Sequence, residues 1–334
     1  MRVVYVIGNG FDINLGLNTR YRDFYEYFKS QHSKSELIEQ MKTELDSETW
    51  ADLELALGRF TAKFNSPEEF QEVYYEISDK LTEHIRSEEQ KLELSEEKKQ
   101  KIRNDLIAPE SYFKFEIRRF ITEYKSQQSI QRSNSQYIPW VVNIINFNYS
   151  KTLERLLDFK ARRNYELGNN PYQKPVYLSE IAHIHGIADI DETILLGVND
   201  TSQVANESFH EDVDFLDLII KPQTNRGSGE GIDADCAQFL QNANLICIFG
   251  SSIGETDKVW WNLLGEQLRR DDCRIIYFVK EEKSIPGNRK QLMPRKIREW
   301  QNYLLSRTSL SSTEQEHVRN KIWVGHNTEM FKLD

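Results

Sequence analysis

The chain has 334 residues, 39% of them hydrophobic and 29% charged, which suits an ordinary soluble globular protein: one large domain with an insertion, or two domains. Its 43 Lys and Arg against 53 Asp and Glu give a formal charge of −10, so no overall basic field recruits nucleic acid, and Cys236, Cys247 and Cys273 neither build a disulfide framework nor show the spacing of a zinc site. The opening Met-Arg leads into a short strand without a signal-peptide core, and no apolar run approaches the roughly 20 residues of a membrane span, so the expectation is a cytoplasmic protein with no membrane segment.

The chain begins with five apolar residues, Val3 to Ile7, that run into Gly8-Asn9-Gly10-Phe11-Asp12. This reads as a buried parallel strand ending in a tight turn. Without a Cβ at Gly8 and Gly10 the main-chain N–H groups could approach a phosphate, and the turn could feed a helix whose N-terminal dipole favours an anion. The same residues also suit a plain strand-to-helix turn. After a polar loop, in which Asn18 or Thr19 could cap the next helix, Tyr21, Phe24, Tyr25 and Phe28 sit at helical spacing. Comparable stripes recur over 37–45, 50–64, 70–85 and, with more charge, 91–124, so 20–127 is expected to be nearly all helix. Trp50 and Glu54 share a helix face there, which makes Glu54 either a lid group over a pocket or a surface carboxylate beside a packed Trp. The charged stretch 88–104 reads as a solvated helix or exposed hairpin, with a partner surface as the alternative, and 126–135 as a polar linker.

The pattern then turns to strands. Residues 140–147 (WVVNIINF) end in Asn148-Tyr149-Ser150 before a helical stretch at 152–159. Further strands are expected at 180–184, which meets His185-Gly186, at 193–198, at 244–249, which meets Gly250-Ser251-Ser252, at 274–279, and at the edge over 321–324. Strands alternating with helices imply an α/β fold: a Rossmann-like parallel sheet flanked by helices, with a large all-helical insertion after the first strand. The expected core is 1–19 with 137–334, and the insertion, 20–136, is expected to cover the strand tips. The glycine-containing stretch 225–231 reads as a mobile loop near the site. Asp257 is expected to cap the helix carrying Trp260 and Trp261, and Glu255 to face solvent.

Three strand ends thus carry small or polar residues: Gly8-Asn9-Gly10, Asn148-Tyr149-Ser150 and Gly250-Ser251-Ser252. In an open parallel sheet such ends line one crevice where the strand order reverses. A dehydrogenase is disfavoured, because the long insertion occupies the place where the dinucleotide fingerprint needs its third glycine and acidic residue. The set VIGNGFD, Trp50 to Glu54, INFNYS, HIHG and FGSSIGETD, in that order over nearly the whole chain, resembles the bacteriophage abortive-infection AbiH family. That family is in turn similar to the sirtuin-like NAD-binding domains of bacterial antiphage systems, whose Gly-x-Gly turn, Asn-Tyr-Asp triplet, His-Gly and Gly-Ser-Ser match Gly8 and Gly10, Asn148 to Ser150, His185-Gly186 and Gly250 to Ser252. Two departures stand out. Ser150 replaces the aspartate, so that carboxylate is missing or comes from Asp12 or Glu54, and the four-cysteine zinc module of sirtuin deacylases is absent, which leaves no metal.

The resemblance implies NAD as ligand or substrate and hydrolysis of its nicotinamide–ribose bond, a step through an oxocarbenium-like state that needs few catalytic atoms. It gives Asn148 the ribose or the attacking water, neutral His185 the role of general base, and Gly8, Asn9, Gly10 and the Gly250-Ser251-Ser252 turn the diphosphate. Read without the resemblance, Asn148 could instead end its strand and cap the following helix. His183 and His185, two positions apart at the end of a strand, are not read as a metal pair, and one of them is expected to be structural. The alternative reading is a non-catalytic nucleotide-binding sensor whose helical insertion recognises a phage or host protein; a homo-oligomer stays open in either case.

Overall fold

A computed structural model describes residues 1–33, 35–44, 52–130, 139–160, 165–227, 229, 231–281 and 291–333. Trp50 and Ala51, residues 131–135 of the expected linker, and Ser228 and Glu230 of the expected loop lie outside the described residues.

The apolar runs form one seven-stranded sheet: β1 (Arg2–Ile7), β2 (Trp140–Asn146), β3 (Tyr165–Asn169), β4 (Pro175–His183), β5 (Leu245–Phe249), β6 (Arg274–Val279) and β7 (Ile322–His326), in the order β3-β4-β2-β1-β5-β6-β7. All neighbouring pairs are parallel except β3 against β4. Numbered among themselves, the parallel strands run 3-2-1-4-5-6, the Rossmann order, and the direction of winding reverses between β1 and β5. Those two strands are buried on both faces, which is why they read as unbroken apolar runs. The expected strand at 193–198 is not one; it makes only the isolated bridges Gly186–Ile194 and Val198–Ile220. Conversely β3, an edge strand of mixed polarity with a register shift at Gly168, carries no apolar run to announce it.

The helices are α1 (Gly10–Asn14), α2 (Tyr21–Ser30), α3 (Glu36–Glu44), α4 (Leu53–Phe60), α5 (Pro67–Gln90), α6 (Glu96–Ile107), α7 (Phe115–Gln128), α8 (Thr152–Leu157), α9 (Val213–Ile219), α10 (Lys221–Gly227), α11 (Ile232–Asn242), α12 (Lys258–Gln267), α13 (Met293–Ser306) and α14 (Ser312–Val318). They serve three cores. On one sheet face Tyr5, Ile7, Ile144 and Cys247 pack with Ile102 and Leu106 of α6, Ile121 of α7 and Leu153 of α8. On the other, Val4, Val6, Ile246 and Ile275 meet Leu240 of α11, Trp261 of α12 and Leu304 of α13. A separate core joins Phe24 and Phe28 of α2, Leu57 of α4, Phe70 and Ile77 of α5 and Phe215 of α9 to Tyr149, Leu196 and Val198. The charged stretch 88–104 is accordingly the end of α5 and most of α6, solvated on one side and, through Ile102, anchored on the sheet on the other. No helix among the described residues is long and apolar enough to cross a membrane.

Two expected details are corrected. The cap of α2 is neither Asn18 nor Thr19: the Arg20 N–H donates to Asp23 Oδ2 at 3.0 Å, while the Thr19 hydroxyl is spent on Asn9 Oδ1 at 2.6 Å. The stretch expected as a mobile loop begins inside α10, which runs to Gly227. Its polarity misleads, because buried Asn225 uses its amide on Ile184 O and Asp233 Oδ1 at 3.2 and 2.6 Å.

At the switch point the turns after β1 and β5 meet backbone to backbone. Gly8 N donates to Phe249 O at 2.9 Å and Gly10 N to Gly250 O at 2.8 Å. A Cβ on Gly10 would stand 2.5 Å from Gly250 Cα, and Gly250 itself has φ +70°. Overpacking of this kind typically costs about 1–3 kcal/mol, so Gly10→Ala should lower the unfolding free energy from urea titration by that amount; an unchanged value would contradict the backbone contact.

Candidate functional site

A cleft of about 1430 Å³ opens at the carboxyl ends of β1, β2, β5 and β6 and is roofed by residues of α2, α4 and α5. That exceeds the roughly 300–1,000 Å³ of a drug-sized site and suits a ligand as long as a dinucleotide. All ten residues singled out in the sequence line it: Gly8, Asn9, Gly10, Asp12, Glu54, Asn148, His185, Gly250, Ser251 and Ser252.

What these residues can offer differs from the expectation. The N–H groups of Gly8 and Gly10 are spent across the switch point, and the Asn9 side chain exchanges hydrogen bonds with Thr19, its Nδ2 donating to Thr19 O at 2.8 Å. At five residues α1 is too short to present an N-terminal anion site. Ser251 Oγ accepts from Ile253 N at 3.1 Å, which leaves its O–H to donate. Ile253, buried and β-branched, sits at φ +54°, a strained conformation held by the turn.

Asp12 and Glu54 occupy separate places. Asp12, 1% exposed, accepts from the Ser150 hydroxyl at 2.5 Å and the Thr152 hydroxyl at 2.6 Å. A carboxylate therefore does meet position 150, delivered from β1's turn, but both its oxygens are engaged in tying that turn to the end of β2. Burial pushes the Asp12 carboxyl up to about 6. Nearby Glu89 of α5, pushed up to about 7 by burial, accepts from Lys151 N, and Arg155 donates to the Glu89 carbonyl, so α5 is pinned to the β2 end.

Glu54 belongs to a buried network that the sequence does not reveal. Its Oε1 accepts from the Tyr21 and Tyr149 hydroxyls, both at 3.2 Å, and its Oε2 from Thr256 Oγ1 at 2.7 Å and Lys221 Nζ at 2.9 Å. The Lys221 ammonium also donates to Asp257 Oδ1 at 2.7 Å, and His185 Nε2 lies 2.9 Å from the same oxygen. Asp257 thus does not cap α12 with its side chain, as the sequence suggested. Burial alone would push its carboxyl up, but Lys221 and His185 hold it well below the usual carboxylate range. Burial likewise disfavours the Lys221 ammonium, and the two carboxylates more than offset this, so it stays charged. Burial and then Glu54 push Tyr21 and Tyr149 well above their ordinary range, which keeps both as neutral donors. Glu255 is half exposed and paired with Arg307.

The two histidines separate into distinct roles. His183 Nδ1 donates to Asn148 O at 3.1 Å and its Nε2 bonds Glu154 Oε1 at 2.5 Å. Burial works against its charge, but Glu154 raises its pKa overall, so this ring is a structural clamp on the β2 end. His185 faces the cleft, fixed edge-on by Phe147 with ring centroids 5.1 Å apart. Asn148 is held at its backbone, where its N–H donates to Asn146 Oδ1 at 3.0 Å. Its side chain is 4% exposed, and neither amide atom has a hydrogen-bond partner among the described residues. Also among the described residues, no group of three or more His, Cys, Asp and Glu could hold a metal ion.

Residues 4–279 match the family model described as Bacteriophage abortive infection AbiH. No curated protein sequence matches the chain.

Removing the Lys221 charge leaves Glu54 and Asp257 buried and unpaired, a loss that typically costs about 3–5 kcal/mol; Lys221→Met should lower the denaturation midpoint accordingly, and a variant as stable as the parent would contradict the network. A pH dependence follows from Asp12. Its folded pKa lies above the ordinary aspartate value of 3.8, so between about pH 4 and 6 the native state holds a proton that the unfolded chain has lost, and stability falls as pH rises by on the order of 3 kcal/mol. Glu89 extends the fall toward about pH 7. Asp12→Asn should flatten the lower part of this slope in urea unfolding followed against pH, and an unaltered slope would contradict the assignment.

Proposed function

The chain belongs to the bacteriophage abortive infection AbiH family, and from that premise we propose that the cleft binds NAD or a closely related nucleotide and hydrolyses its nicotinamide–ribose bond, so that the infected cell loses its cofactor. The observation that carries this reading is the Asn148 amide. An unmet buried donor or acceptor costs about 1–3 kcal/mol, and here both amide atoms are unmet at the wall of a dinucleotide-sized cleft beside the switch point. The backbone of Asn148 is fixed from both sides by Asn146 and His183. We assign that side chain the ribose hydroxyl or the attacking water, which its amide would meet once a bound ligand draws it toward the cleft.

His185 complements it. Ionised Asp257 can only accept, so the Nε2 bound to it carries the proton and Nδ1 keeps the lone pair. A neutral imidazole so oriented can take a proton from water or a ribose hydroxyl. The Ser251 hydroxyl is a donor for the diphosphate, in place of the engaged glycine N–H groups.

One observation favours the alternative of a nucleotide-binding sensor without chemistry: both oxygens of Asp12 are taken by Ser150 and Thr152, which leaves that carboxylate unavailable to a ribose. Incubation of the purified protein with NAD, followed by measurement of free nicotinamide, separates the two. Release of nicotinamide that falls about 10²–10⁴-fold in Asn148→Ala and His185→Ala supports hydrolysis. Nucleotide retained intact supports the sensor, and no binding at all, with phage protection undiminished in both variants, overturns the proposal.

A further inference from the structure

Lys221 sits just after the apolar run of α9, 4% exposed, with its ammonium bonded to Asp257 of the β5–α12 loop and to Glu54 of α4. Nothing in the hydrolytic chemistry itself calls for a cation there, and burying one between two carboxylates carries a desolvation cost that an apolar cluster would avoid. We propose that Lys221 is a positioning residue that fixes the tautomer of His185 by keeping Asp257 ionised. The inference rests on the reading of His185 as the base.

The argument follows from donor and acceptor capacity. A carboxyl buried without a cation takes up a proton, and a protonated Asp257 would carry a hydroxyl able to donate to His185 Nε2. The imidazole would then hold its own proton on Nδ1 and lose the lone pair needed there. With Lys221 at 2.7 Å the carboxylate only accepts, and Nε2 must donate. The Nζ cannot swing away, because Glu54 holds it at 2.9 Å while three hydroxyls, from Tyr21, Tyr149 and Thr256, saturate the oxygens of Glu54. The remaining groups facing His185 do not compete for its nitrogens. Asp233 of α11 makes no hydrogen bond to His185 and spends its Oδ1 on Asn225 at 2.6 Å, and Phe147 and Tyr149 present rings. Because Glu54 and Tyr21 belong to the helical roof, the tautomer of His185 depends on α4 and α2 being seated on the strand ends.

Heteronuclear NMR of labelled histidine, with no nucleotide present, reads the tautomer directly, and nicotinamide release reads its consequence. The native protein should show a protonated Nε2 and a bare Nδ1 at His185. Lys221→Gln, which keeps a donor but loses the charge, should move the proton to Nδ1, lower kcat by about 10²-fold and leave KM within about threefold. Lys221→Arg should restore the native tautomer. A folded Lys221→Gln protein with the native tautomer overturns the proposal; should that variant not fold, Asp257→Ala, which removes the acceptor at Nε2, should leave His185 a mixture of tautomers, and retention of the native form alone overturns the proposal equally. Inversion as expected in a protein whose parent releases no nicotinamide would uphold the positioning role and overturn the hydrolase reading alone.

Discussion

The approach of two backbones at the switch point is the constraint on which the rest of the molecule depends. The turns after β1 and β5 lie close enough that a single Cβ on Gly8 or Gly10 would overlap main-chain atoms of Gly250 or Ser251. Their N–H groups close that contact rather than reaching for a ligand. The consequence is geometric: from that contact the chain leaves β1 toward one face of the sheet, where Phe11 packs, and β5 toward the other, where Trp261 packs, and a cleft opens above the reversal of strand order. The glycines shape the cleft, while side chains from elsewhere furnish it.

Those side chains come from two directions and are joined by buried charge. The strand ends bring Asn148, His185 and Asp257, and the helical roof brings Tyr21 and Glu54. Lys221 links the two sets. Asn148, His185, Glu54 and Lys221 are buried and Tyr21 and Asp257 partly so, so each must be partnered to be tolerated, and both oxygens of Glu54 and the Lys221 ammonium are engaged. Asn148 stands out against that background because both atoms of its side-chain amide are without a partner among the described residues. The same logic separates His183 from His185: the first is clamped between Asn148 O and Glu154, the second holds one nitrogen on the Asp257 carboxylate at the cleft.

Much of this was legible in the residues. The apolar runs of β1, β2, β5 and β6, each ending in small or polar residues, predicted the parallel sheet and the convergence of their tips, and the helical stripes of α2, α4 and α5 predicted helices between β1 and β2. Other features were not legible. β3 is short, half polar and at the edge, so it has no pattern to show, whereas 193–198 looks like a strand because it is apolar, and it is apolar because it joins the core beneath the roof. Asp257, ahead of a helix, looked like a cap; a buried ammonium and an imidazole compete for that carboxylate and win over a backbone N–H.

By itself the sequence determined the strands β1, β2, β5 and β6, where they end and which residues stand at those ends, because hydrophobic periodicity and glycine turns are local properties of a few consecutive residues. Only the tertiary structure decided what each polar group does. Glu54 and Lys221 are 167 positions apart, Asp12 and Ser150 are 138 apart, and Asn148 and His183 are 35 apart. No local pattern encodes such partners, since a hydrogen bond between distant side chains exists only once the sheet and its helical roof have brought them together. The Gly8-Asn9-Gly10 turn shows both halves: its place at a ligand cleft was written in the chain, and its service as a backbone lock was settled by packing.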